Sequence, residues 1–156
     1  MFSSNSAALI GCYMVCCLNM SAEDAFRKLT KKGATTQKFA PFRDCGRPQA
    51  HNSVDVIDVM KAVENARNRG WYDWRTFDVQ QYNKMSELFN GDQNWIIPGS
   101  IIATSSMSVC ESEGHDPRLL IPKFKKNNVT AVVRLNERLY EDKHFENNNI
   151  RVYPME

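Results

Sequence analysis

Asn127-Asn-Val-Thr-Ala-Val-Val-Arg-Leu-Asn136 is the stretch on which the fold turns. Its centre, Val129-Thr-Ala-Val-Val133, is a β-branched run closed by asparagines on both sides, which is strand chemistry with turn chemistry at its ends. Downstream, a short helix is expected from Glu137 to about Phe145, followed by a further strand at Ile150-Arg-Val-Tyr153. Upstream, Asp116-Pro117 offers an N-cap with proline at the first helical position, opening a helix that runs to about Asn127. Helices alternating with strands on this spacing predict an α/β chain with parallel sheet elements rather than an all-β domain.

Moving further upstream, Thr104 to Gly114 is a polar, serine-rich loop. Before it, Asn94-Trp-Ile-Ile-Pro-Gly99 and Ile101-Ile-Ala103 read as a strand pair, because Pro98-Gly99 is strong turn chemistry between β-branched residues. The texture changes after Asp92, where helical patterning gives way to strand patterning, and a boundary is expected there. Asp78-Val-Gln-Gln81 reads as a capping box opening a helix to Phe89, stopped by Asn90-Gly91.

The first half is helical. Ser3-Ser4-Asn5-Ser6 offers N-cap oxygens before the apolar run Ala7 to Leu18, so the first helix is expected from about Asn5 to Asn19. It is apolar almost all round and therefore calls for cover on several sides. About a dozen apolar residues fall short of the roughly 20 needed to cross a bilayer, and nothing basic precedes them. Ser21-Ala-Glu-Asp24 reads as a capping box for a short helix to about Lys32, buried through Ala25, Phe26 and Leu29. A loop at 33–37 leads to the extended segment Phe39-Ala-Pro-Phe-Arg-Asp44. His51-Asn-Ser53 is then expected to cap a longer helix carrying Val54, Ile57, Met60 and Val63.

Composition excludes several classes. Of 156 residues, 42% are apolar and 24% charged, which argues against wholesale disorder, and a formal net charge of +2 provides no field for nucleic acid or an anionic membrane. Five cysteines without metal-type spacing suit a reducing compartment and imply no disulfide framework. A cysteine phosphatase needs a thiolate at the base of an amide-lined loop, with an arginine six positions on to clamp the phosphate. The sixth residues after the five cysteines are Leu18, Ala22, Glu23, His51 and Asp116, so none qualifies. No histidine precedes a cysteine, no serine sits in a nucleophile elbow, and no glycine spacing builds a nucleotide loop.

The segments Asn90-Gly-Asp-Gln-Asn-Trp-Ile-Ile-Pro-Gly99 and Phe124-Lys-Lys-Asn-Asn-Val-Thr-Ala-Val-Val-Arg-Leu-Asn136, followed by Tyr140, resemble the domain junction of the cell-division-cycle fourteen dual-specificity phosphatases. Ala7-Ala-Leu-Ile-Gly11, Ser21-Ala-Glu-Asp-Ala25, Pro41-Phe-Arg-Asp44 and Thr76-Phe-Asp-Val79 match the family's N-terminal domain in the right order. The resemblance implies tandem phosphatase-like α/β domains, the first without a catalytic cysteine, the second carrying the active site. On that plan 1–76 is the rear half of the non-catalytic domain, 77–92 the linker helix and 93–156 the front of the catalytic domain. The nucleophile, its arginine and the general-acid aspartate would all lie beyond Glu156.

The resemblance also implies substrates: phosphoproteins made by proline-directed kinases, dephosphorylated at serine or threonine before proline and at tyrosine. Its setting would be mitotic exit and cell division, in nucleus, nucleolus and cytoplasm, spindle or centrosome. It implies no cofactor and no metal, no nucleic-acid or membrane partner, and leaves self-association open. Acidic side chains on the linker helix would attract a basic substrate residue. Here Glu87 is the one at hand, while Asn83 and Ser86 stand where acids are expected. Asn136 would line the catalytic pocket's edge with Arg134 bracing it, and Asp44 would face the groove. On the residues alone, Arg134 also reads as a strand-end charge, Asn136 as a helix cap and Asp44 as a loop cap. A rival expectation is a non-catalytic docking or decoy module that binds phosphoproteins or a full-length phosphatase.

Overall fold

The computed structural model describes residues 3–32, 35–36, 38–43, 53–109 and 116–155. The chain divides into two compact units, Met1–Phe77 and Asp78–Glu156.

In the first unit, α1 (Ser4–Cys17) begins where Ser3 Oγ accepts the Ser6 amide at 3.2 Å. Its buried stripe is Ala7, Gly11 and Val15, one residue every four. A Cβ at Gly11 would lie 2.6 Å from Met60 Sδ, so the missing side chain lets α1 and α3 (Val56–Asn68) come close. α2 (Ala22–Thr30) is capped by Ser21, whose hydroxyl accepts the Asp24 amide at 3.1 Å. Val15, Ala22, Ala25, Val56 and Met60 form the core, with Phe26 packed edge-on to Phe39 at 6.2 Å. The cover that an apolar α1 calls for is only partial: α2 and α3 pack against it, and Leu9 remains 74% exposed and Tyr13 56%.

Two side chains of α3 close the corner between the other helices. Arg67 Nη1 donates to the Val15 carbonyl at 2.5 Å, taking an acceptor orphaned at the end of α1, while Glu64 Oε2 accepts the Ala22 amide at 3.0 Å. The two carry opposite charge and lie 3.8 Å apart.

Two sequence expectations are corrected here. The chain makes a short antiparallel pair after α2, β1 (Lys31–Lys32) with β2 (Thr35–Thr36), where a helix end and loop were expected. α3 starts later than His51-Asn-Ser53 suggested, although His51 and Asn52 lie outside the described residues. Val54 is bonded to Phe42 through both backbone groups, at 2.8 and 3.1 Å, so it stays extended and Asp55 becomes the cap. Asp58 Oδ2 in turn accepts the Asp55 amide at 2.9 Å.

The second unit opens with α4 (Val79–Met85), where Asp78 accepts the Gln81 amide at 2.9 Å. It ends four residues before the expected Phe89. Asn90 Nδ2 donates to the Lys84 carbonyl at 2.7 Å, and Leu88–Asn90 forms a separate 3-10 turn. β3 (Gln93–Ile97) and β4 (Ile101–Thr104) pair antiparallel, as the Pro98-Gly99 turn predicts. The Ser100 amide reaches the Ile97 carbonyl at 2.9 Å across that turn, and Gly99 adopts φ +73, which glycine supplies without strain.

α5 (Pro117–Lys126) then leads to β5 (Ala131–Arg134), which pairs in parallel with β6 (Arg151–Pro154). A parallel pair needs a crossover, and α6 (Lys143–Glu146) lies within it. The core gathers Met107, Leu120, Phe124, Val132, Tyr140, Phe145 and Ile150, with Phe145 stacked on Phe124 at 6.1 Å and edge-on to Tyr140 at 5.4 Å. The mixture of helices, parallel and antiparallel strands is the α/β class expected, although each described sheet has two strands.

The α6 helix covers only the last part of the expected 137–145. Tyr140 and Asp142 both turn to the Arg134 guanidinium, and positions two apart point to different sides of a helix, so the chain from Glu137 cannot be helical and serve both contacts.

Asp116 is 1% exposed and accepts from the Arg118 amide at 2.7 Å and from its guanidinium at 2.5 Å. That guanidinium holds the Asp116 carboxyl below its ordinary range. Asp116→Ala is expected to destabilise the unit by about 1–2 kcal/mol through the lost cap and charged bond. In the unsubstituted chain this contribution is fully present above the unfolded aspartate value of about 3.9 and fades as pH falls through the lower folded value. Urea melts followed by circular dichroism between pH 6 and 2 check it, the gap between variant and parent closing on the acid side.

Candidate functional site

The second unit carries a 660 Å³ groove between β4 and β5. One wall is formed by 101–106 and the other by 129–136, and Met107, Phe124 and Tyr140 of the core also line it. Two of the four sequence-derived site residues, Arg134 and Asn136, share this groove.

Arg134 is 5% exposed and makes an ion pair with Asp142 at 2.5 Å, its guanidinium lying 5.4 Å from the centre of the Tyr140 ring. It is therefore a buried brace under the end of β5, held by a carboxylate and a ring face rather than presented as an open cation. Asn136 is exposed and donates from Nδ2 to Ser106 Oγ, which ties the end of one groove wall to the other. It caps no helix, since α6 begins at Lys143 with Asp142 before it. Ser106 was not singled out from the sequence, where it is one serine in a serine-rich loop.

The other two residues are elsewhere. Glu87 is exposed between α4 and the 3-10 turn, where its Oε2 accepts from Asn90 Nδ2 at 2.9 Å, and it is not part of the groove lining. Asp44 lies outside the described residues. Ser86, where an acid was expected, donates to the Tyr82 carbonyl at 2.9 Å and accepts from Asn94 at 3.0 Å, which makes it a helix-end residue fastened to β3.

The described thiols belong to α1 of the first unit. Burial pushes the Cys12 and Cys16 thiols up, and the neighbouring Cys12 and Cys17 add to the effect on Cys16. These are conditions that suppress thiolate and hence nucleophilicity.

Comparison with known proteins supplies what the geometry alone does not. The family described as "Dual specificity protein phosphatase, N-terminal half" matches residues 2–66. Over 147 residues the chain is 37% identical to human dual specificity protein phosphatase CDC14A, covering 91% of this chain and 24% of that protein. This chain belongs to the CDC14 dual specificity phosphatase family. Mouse CDC14B is 38% identical over 91% of the chain and 30% of its own length. The cdc-14 tyrosine-protein phosphatase of Caenorhabditis elegans is 33% identical over 90% of the chain and 20% of its own length. The chain thus spans about a quarter of the length of the CDC14 relatives it matches. Among the described residues no helix is long and apolar enough to cross a membrane.

Proposed function

We propose that these 156 residues serve a CDC14-type protein phosphatase as its substrate-side framework, joining the rear of the non-catalytic domain through the 77–92 segment to the front of the catalytic domain. The substrates are phosphoproteins of proline-directed kinases, dephosphorylated at serine, threonine or tyrosine during cell division, in the nucleus, the cytoplasm and on the spindle. The thiolate that attacks phosphorus is supplied by residues other than these. The observation that carries this reading is the family match over nine-tenths of a chain in which no cysteine has an arginine six positions on.

The test is direct. The 156-residue chain is expected to hydrolyse p-nitrophenyl phosphate no faster than a buffer blank from pH 5 to 8. Turnover that disappears on substituting any of the five cysteines overturns the reading.

The docking or decoy alternative has less support from the groove. Its guanidinium is already paired with Asp142, so a phosphate would have to displace a carboxylate at 2.5 Å. Phosphate-dependent retention of serine-proline phosphopeptides by the isolated chain would reverse that preference.

A further inference from the structure

Cys12, Cys16 and Cys17 lie towards the end of α1, and all three are free and half-buried. Their spacing singles out two of them. Cys12 and Cys16 stand four apart, which on a helix puts both side chains on one face with Cβ atoms about 5–6 Å apart. Electrostatics mark the same pair: after burial, the strongest influence on the Cys16 thiol comes from Cys12, ahead of the adjacent Cys17. Burial and these thiols also act on the Tyr72 hydroxyl, which sets the segment after α3 beside the cluster.

The pair cannot close on itself while the helix is intact. A disulfide needs Cβ atoms about 3.5–4.5 Å apart, so the two sulfurs remain facing one gap. An ion that bridges them needs no such approach.

Donor number selects the ion. Among the described residues no group of three or more His, Cys, Asp or Glu is placed to hold a metal, so zinc, which takes four protein donors in a structural site, is not served. Monovalent copper is soft, favours thiolate sulfur and is satisfied by two of them. Two thiolates around a monovalent cation leave one negative charge. Arg67 is placed to offset it: its positive charge acts on Cys16, and its Nη1 is anchored on the Val15 carbonyl at 2.5 Å. Burial that discourages a free thiolate does not oppose the metal–sulfur bond, whose formation expels the proton.

We propose that Cys12 and Cys16 form a two-coordinate site for monovalent copper on one face of α1. Binding joins the cation to both sulfurs and releases the two thiol protons to solvent, with no change of oxidation state. The site goes beyond the phosphatase reading and does not rest on it.

The experiment uses the whole 156-residue chain, reduced and kept free of oxygen, with copper(I) supplied as its bicinchoninate complex. The chain is expected to withdraw one copper per molecule, and the X-ray absorption edge of that copper to show two sulfur neighbours. Cys12→Ser and Cys16→Ser are each expected to weaken binding by about a hundredfold or more, beyond what loss of an outer-shell partner costs. Cys17→Ser, Cys45→Ser and Cys110→Ser should each bind as the parent does. Circular dichroism reports whether the serine variants keep α1, and the absorption signature of the parent tests the same two bonds with no substitution. No copper withdrawn, copper bound through three sulfurs, an equal loss in any of the other three serine variants, or zinc held as tightly as copper would each overturn the proposal.

Discussion

Phe145→Ala is expected to cost the second unit about 3–5 kcal/mol, the range for truncating a fully buried aromatic. Phe145 is 0% exposed and its ring contacts both Phe124 and Tyr140. Its removal therefore opens a cavity in the core cluster that joins α5, α6 and the crossover. A loss of that size rivals the whole stability of a small domain, so at 25 °C the second unit should populate its unfolded form. Hydrogen exchange at the amides of β5 checks this: their protection should collapse in the variant. Protection within tenfold of the parent would mean that the core repacks around the gap.

Arg134→Met is the second large effect, at about 3 kcal/mol. Truncating one member of a buried pair leaves the other charge without compensation, and Asp142 with a side chain 26% exposed recovers only part of its hydration. Pairing this with Asp142→Asn separates bracing from substrate contact. If Arg134 acts through Asp142 and Tyr140, the double variant should be no less stable than Arg134→Met alone, because the stranded carboxylate has gone. Additive losses in urea melts would show that Arg134 is held by something other than this carboxylate.

How much of this was readable in the sequence depends on the range of the forces involved. The β3–β4 hairpin was legible because Pro98-Gly99 fixes its turn locally, and β5 because Val129-Thr-Ala-Val-Val133 is flanked by turn residues. Serine and aspartate caps at Ser3, Ser21, Asp78 and Asp116 were legible for the same reason, a bond spanning two or three residues. The misses came from partners far along the chain or from groups competing for one donor. Phe42 held Val54 out of α3, Asn90 ended α4 early, and Arg134 drew Tyr140 and Asp142 to one point and shortened α6. At the groove, Arg134 and Asn136 were reached through family resemblance, whereas Ser106 and Met107 carry no local pattern that marks them.

The single turn of α3 that holds Glu64 and Arg67 sets a timetable for the first unit. The amide of Ala22 and the carbonyl of Val15 wait for partners 42 and 52 positions further on. On a ribosome adding about 5–20 residues per second, α1 and α2 leave the exit tunnel roughly 2–10 s before those partners follow. During that interval the apolar α1 has neither its clasp nor the Met60 surface against which Gly11 lies, and it is then that a chaperone has most to protect.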